Sequence, residues 1–315
     1  MTIFASNFLS LKNEFIIPLI QHNPSKIDRD YFRIKNIIYQ NVRKVENISN
    51  NSYLIRLESG IFQKALLNEI ILFYLRASLQ FNDLMKIEDV VNRSWLLVTN
   101  YYANFFCATC LLRMMHQGFT YLDSREAQKI SELFTILLSE SVQLSSGNYS
   151  FDLKEKDGDE IVLEFKKSPL KVHEGTWHRI YIEFYRMQSR SSPKQLEKAV
   201  LLKIVEAFGC HGKTFFSTLR NDVNYNCKYA CDDIDNLFYF NLNKDVMDDI
   251  GKAILKADIR KDDIDSRNQF MNLIGMYLFH LSSKLFDEVL QRYPSSISLY
   301  NKAIKMKKIE LERLC

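Results

Sequence analysis

The chain has 315 residues, 47% of them hydrophobic and 25% charged, and carries a net charge of +4 at neutral pH. That length can bury a sizeable core in one large domain or two ordinary ones, and the composition excludes a disordered polymer, which needs fewer apolar residues and a stronger charge imbalance. A net charge this small does not imply nucleic-acid binding by itself, so any phosphate-binding patch must be local.

With 22 Phe and 16 Tyr against 9 Gly and 5 Pro, the chain reads as mainly α: a helical bundle with a small antiparallel β excursion near the middle. The opening MTIFASNFLSLKNEF has neither a basic start nor a continuous apolar core, so it does not read as a secretory signal. Residues 1 to about 50 show no clean period and suggest short helices or strands. From Ile61 to Gln80, apolar residues at 61, 66, 67, 70, 71, 74 and 75 recur at helical spacing. Asp89 or Asn92 would cap the next helix, which runs from Trp95 to about His116, with Gly118 as its stop. This is the most apolar window, but Asn100, Asn104 and Arg113 interrupt the roughly 18 to 20 apolar residues a membrane span needs. It reads as a buried helix, and no membrane is expected as a partner. A helix from Ser124 carries Ala127, Ile130, Leu133, Phe134, Leu137 and Leu138, and is expected to end near Ser145–Asn148.

The pattern then changes. Tyr149, Phe151 and Leu153 alternate, a turn follows at Asp157 and Gly158, and Ile161, Leu163 and Phe165 alternate again, predicting a hairpin. A third strand is expected from Trp177 to Tyr185, making a β insert of about 149–186. Pro193 opens a helix to about Phe208, a short helix covers Met247–Lys256, a long one covers Ile264–Tyr293, and a last one starts at Ser296. This gives a mainly helical N-terminal region, 1–90, and a helical domain, 91–315, that carries the insert.

Most chemical motifs fail on their surroundings. Phe208–Thr214 resembles the end of a phosphate-binding loop, but Ala207 stands where its first glycine is needed and a helix precedes it. Cys107 and Cys110, with Cys227 and Cys231, would supply four thiolates, but the first pair lies in an aromatic helix where that spacing suits a core stripe. His173, Glu174 and His178 lack metalloprotease spacing and read as an ordinary loop beside a strand. No nucleophile elbow is present. Neither a metal nor a cofactor is expected. Six cysteines without a dense framework fit a reducing compartment, so a cytoplasmic location is expected. Arg186, Arg190, Lys194 and Lys198, and Lys302, Lys305, Lys307 and Lys308, form local basic groups of the kind found on solvated helix faces.

One patch stands out, Thr218 to Asn226. Arg220 and Asn224 share a helix face, with Asn221 and Tyr225 beside them and Lys213 just upstream. An arginine, two amides and a phenol supply donors and a stacking surface, which suits contact with phosphate and base. Arg220, Asn221, Asn224, Tyr225 and Lys213 are therefore the candidate nucleic-acid-binding residues; no catalytic residue is assigned.

At this patch the sequence resembles the HEPN superfamily, helical proteins often involved in RNA cleavage or nucleotide binding. Arg220, Asn224 and Tyr225 look like a variant of an Arg-x-x-x-Asp-Tyr motif, with Asn in place of Asp. The helix Arg93–Met115 looks like the leading helix of such bundles, and the helical halves around a β insert are similar to YaaC-like bacterial proteins. Many members carry a polar residue next to the Arg and a His about four to six residues later, just over one helical turn on. Here Arg113 and His116 are closer than that, and Arg267 and His280 farther apart. The resemblance implies a prokaryotic antiviral or stress-response component that binds RNA, DNA or a partner protein without intrinsic catalysis. It also implies two alternatives, a metal-independent RNase and a structural subunit of a defence complex, and allows a homodimer.

Overall fold

The computed structural model of the chain describes residues 9–16, 33–49, 51–86, 93–189, 195–225, 250–261 and 263–292. Asp89, Asn92, Arg190, Pro193, Lys194, Cys227, Cys231, Met247, Tyr293 and everything from Ser296 onward lie outside them.

The fold is mainly helical with one small sheet. After a π-helical turn, Lys12–Ile16, come α1 (Ile34–Asn41), β1 (Lys44–Ser49), β2 (Ser52–Glu58), α2 (Ser59–Lys86), α3 (Arg93–Met114) and β3 (Gln117–Leu122). Then follow α4 (Ser124–Leu138), β4 (Gly147–Asp157), β5 (Glu160–Lys167), α5 (Val172–Ser189), α6 (Gln195–His211), α7 (Phe215–Asn224), α8 (Ile250–Lys256) and α9 (Ile264–Arg292).

Helix α3 is apolar on nearly every side and is buried accordingly: Leu97, Tyr101, Ala103, Cys107, Ala108, Cys110 and Leu111 are all inaccessible. It packs against α2, α9, α5, α7 and β3. The segment Ser94–Met114 is long and apolar enough to cross a membrane by composition, yet 78% of its most apolar window lies inside the fold. Asparagines set the crossing of α3 and α9. The Asn100 amide donates to Asn272, that of Asn104 donates to the Met271 carbonyl at 3.1 Å, and a Cβ at Gly275 would overlap the Asn104 side chain. The helices meet closely because that position has no side chain.

The five-stranded antiparallel sheet has the order β1-β2-β5-β4-β3. The expected hairpin is β4–β5, turning at Gly158 with φ +55°. Its partners come from elsewhere in the chain, so strands on both sides of residue 90 share one sheet. Tyr53, Ile55 and Leu57 of β2 and Phe165 of β5 face the core, where Tyr53 meets Phe134 of α4 at 5.1 Å and Phe165 stacks on Tyr149 at 4.9 Å.

Three expectations are corrected. The segment Trp177–Tyr185 is not a strand but the middle of α5, whose buried Trp177, Ile180, Phe184 and Met187 recur at helical spacing; the β insert therefore ends with β5. Helix α3 stops at Met114, before Gly118, because His116 takes a left-handed backbone (φ +60°) and the chain turns into β3. Gly118 serves a different need: a Cβ there would overlap the Arg113 guanidinium. Helix α4 ends at Leu138 on a left-handed Ser139, well before Ser145, and starts at an Asp123–Glu126 capping box.

Candidate functional site

Helix α7 forms because Phe215, Phe216 and Leu219 bury one face against the bundle. The chain reaches it from α6 through Gly212, whose φ of +96° ends that helix. The Phe208–Thr214 string is thus a helix end and a turn, with Gly209 inside α6. The buried stripe of α7 leaves Ser217, Arg220 and Asn221, with Tyr225 at its C-terminal end, beside the N-terminal turn of α5 and the middle of α3. Together with Lys171, His173 and Glu174 these four residues line an open recess of about 360 Å³.

Arg220 is the centre of the site. It is only 9% exposed, and its guanidinium carbon lies 5.1 Å from the Tyr101 ring centre, 5.8 Å from that of Tyr102 and 5.4 Å from that of Tyr225. Nη1 donates to the Tyr225 hydroxyl at 3.3 Å, while Nε has no hydrogen-bond partner. Among the described residues no carboxylate lies within ion-pair distance of it; Glu174 lines the same recess but does not reach it. The other arginines at this depth are answered: Arg113 by Glu69 and Arg267 by Asp222 at 4.0 Å. Tyrosine faces and hydroxyls offset part of the cost of burying the charge, but they do not neutralise it.

Beside Arg220 stands His173. Its ring stacks on Phe105 at 4.1 Å between centres, and Nδ1 lies 2.8 Å from the Tyr101 hydroxyl, which also lies 3.2 Å from Ser217 Oγ. Burial, and then the charge of Arg220, lower the His173 pKa to about 4, so the imidazole is neutral at pH 7. Burial raises the Tyr101 pKa, so the phenol stays protonated. When Tyr101 donates to Nδ1, Nε2 carries the imidazole proton; when Nδ1–H donates to Tyr101, Nε2 is an acceptor.

Of the sequence candidates, Arg220, Asn221 and Tyr225 line the recess, and Asn224 sits half-buried on the same helix without lining it. Lys213 lies at the opposite end of α7, its ammonium 5.0 Å from the centre of the Tyr181 ring. Sequence reasoning missed His173, Tyr101, Tyr102, Ser217, Lys171 and Glu174. The first was read as a loop residue because α5 was read as a strand, and nothing local ties it to Arg220. The cysteine pair of α3 is buried, and Cys110 directs its thiol to the Ile70 carbonyl at 3.6 Å. Burial raises the pKa of that thiol, against thiolate chemistry. Among the described residues no group of three or more His, Cys, Asp or Glu side chains could hold a metal ion.

No protein-family model, curated protein or solved structure matches the chain.

Proposed function

We propose that the chain binds single-stranded nucleic acid through the Arg220 recess, as a HEPN-like component of a prokaryotic antiviral or stress-response system acting in the cytoplasm. The observation that carries this reading is a buried arginine, with no carboxylate partner among the described residues, that lines an open recess and packs against the rings of Tyr101, Tyr102 and Tyr225. A phosphate supplies the missing negative charge and takes the guanidinium fork, while the exposed Tyr225 offers a face for a base. Lys171 adds a second cation at the mouth, and Ser217 and Asn221 add neutral hydrogen-bonding groups. A purely structural subunit has less support: among the described residues the exposed large apolar side chains, including Trp95, Ile136, Tyr185 and Leu202, are spread over different helices, as on ordinary monomers.

The test is anisotropy of labelled single-stranded RNA and DNA with wild type and Arg220→Met in EDTA, over a range of salt. Saturable, salt-sensitive binding by wild type, weakened about tenfold or more in a folded variant, is the expected result. Equal binding by both proteins contradicts the reading.

A second reading, metal-independent RNA cleavage, is favoured by His173 and its Tyr101 contact beside Arg220. In that reaction the neutral imidazole removes the proton of a ribose 2′-hydroxyl and the oxygen attacks the adjacent phosphorus. The 5′-oxygen leaves and takes up a proton, giving a 2′,3′-cyclic phosphate and a free 5′-hydroxyl, with the charge on phosphate held by Arg220. Cleavage would then be lost in both His173→Gln and Arg220→Met, and would fall only as pH drops towards about 4, where the imidazole protonates. Binding without cleavage removes this second reading and leaves the first.

A further inference from the structure

Two lines of side chains leave the recess in the same direction. Ser217, Asn221 and Tyr225 follow one another at four-residue spacing along α7 and its C-terminal cap, from buried to exposed, and Lys213 stands in the turn just before the helix. On α5, Glu174, His178, Tyr181 and Tyr185 do the same at helical spacing. Glu174 stands with Asn221 and Tyr225 at the recess, whereas Tyr181 stands under Lys213, with ammonium and ring centre 5.0 Å apart. The lines therefore run antiparallel along two packed helices, and Arg220 and Lys213 lie at opposite ends. Burial, and then the charges of Lys213 and Arg179, lower the pKa of His178, which stands between the two ends. Tyr185, 54% exposed, continues the aromatic line, with its ring centre 6.5 Å from that of Tyr181.

We propose that the surface along α5 and α7 is a track for an extended single strand, held at Arg220 and again at a platform of Lys213, Tyr181 and Tyr185. This rests on the reading of the recess as a nucleic-acid site and names the length of ligand it takes. From Glu174 to Tyr185 the helix rises about 16 Å, more than one nucleotide covers. An exposed phenol ring offers a face to any base, and a lysine beside it meets the adjacent phosphate, a combination tolerant of sequence. Lys213 is exposed and forms no ion pair among the described residues; its ammonium lies against the Tyr181 ring. Glu174 is the one acidic side chain among those lining the recess. It repels phosphate and accepts hydrogen bonds, which places a sugar hydroxyl or base amino group there, and the phosphates to either side.

The experiment measures affinity of the full chain for oligouridylates from a mononucleotide to an octamer, with wild type, Lys213→Gln, Tyr185→Ala and Arg220→Met. Both track variants change exposed side chains and leave the core intact. Affinity is expected to rise with length. Lys213→Gln and Tyr185→Ala are expected each to weaken octamer binding about tenfold and leave the mononucleotide unchanged, while Arg220→Met weakens both ligands. Octamer affinity equal to that of the mononucleotide, or unmoved by both track variants, overturns the track and leaves the recess standing. Octamer binding unmoved by Arg220→Met overturns the recess reading and the track with it.

Discussion

Arg113 and Arg220 are both buried, and they differ in what answers their charge. Arg113 is enclosed by Glu69, by the carbonyls of Gln117 at 3.1 Å and Phe119 at 2.9 Å, and by the Phe151 ring at 4.6 Å. Glu69 in turn accepts from the backbone amide of Ile34 at 3.1 Å. That network joins α2, α3, β3 and the start of α1, so its role is structural. Glu69→Gln strands the guanidinium and is expected to cost about 3–5 kcal/mol, read from urea unfolding; a loss below about 1 kcal/mol would show that the pair does not hold these elements together. His173 makes a further prediction at this scale. Its folded pKa, about 4, lies below the ordinary 6.5, so the unfolded chain binds the proton more tightly. The stability it contributes is complete above about pH 6.5 and is lost as pH falls towards 4. Unfolding free energies at pH 7 and pH 5 should differ less in His173→Gln than in wild type; equal differences would mean that the ring is already open to water.

At the scale of elements, Gly275 shows how α3 and α9 are fitted. Gly275→Ala places a methyl group in the Asn104 amide and is expected to cost about 1–3 kcal/mol. Asn104→Ala in the same chain should restore part of that loss, and purely additive losses would place the strain elsewhere. Helices α2 and α4 were legible in the sequence because their apolar residues recur at helical spacing, α3 because its apolar run is too long for a strand, and the β4–β5 hairpin because its alternation meets at an Asp-Gly turn. Helix α5 was not, since Ile180, Ile182 and Phe184 with aromatic neighbours mimic a strand over a short window; Met187 completes the helical stripe only beyond it. Strand β1 is mostly exposed and shows no alternation. Strand β3 exists through its pairing with β4 and the Arg113 bonds to its carbonyls, neither of which is visible locally. The site divides the same way. Arg220, Asn221 and Tyr225 share one short helix end and were legible together; Tyr101 and His173 reach the recess from α3 and α5, so only tertiary packing brings them in.

At the scale of the whole molecule, one sheet draws strands from both sides of residue 90, and α3 runs through the core and sets Tyr101 and Tyr102 against Arg220 of the recess. Its Tyr101 packs in the core and turns its hydroxyl to His173 and Ser217, so the site is part of the bundle and not an appended loop. The net charge of +4 is too small to gather a polyanion by long-range attraction. If the recess binds a nucleic acid as proposed, affinity comes from the few cations at the site, and its salt dependence should correspond to about two or three phosphate contacts.

The central claim is that the Arg220 charge is kept for a ligand and not for the fold. It is tested most directly by thermal unfolding of wild type and Arg220→Met, with and without a single-stranded oligonucleotide. Methionine fills much of the same volume without a buried charge, so the variant alone should melt at or above wild type. The oligonucleotide should raise the melting temperature of wild type and leave the variant unmoved. A variant that melts several degrees below wild type, with no response to oligonucleotide in either protein, would make Arg220 a structural residue and contradict the account.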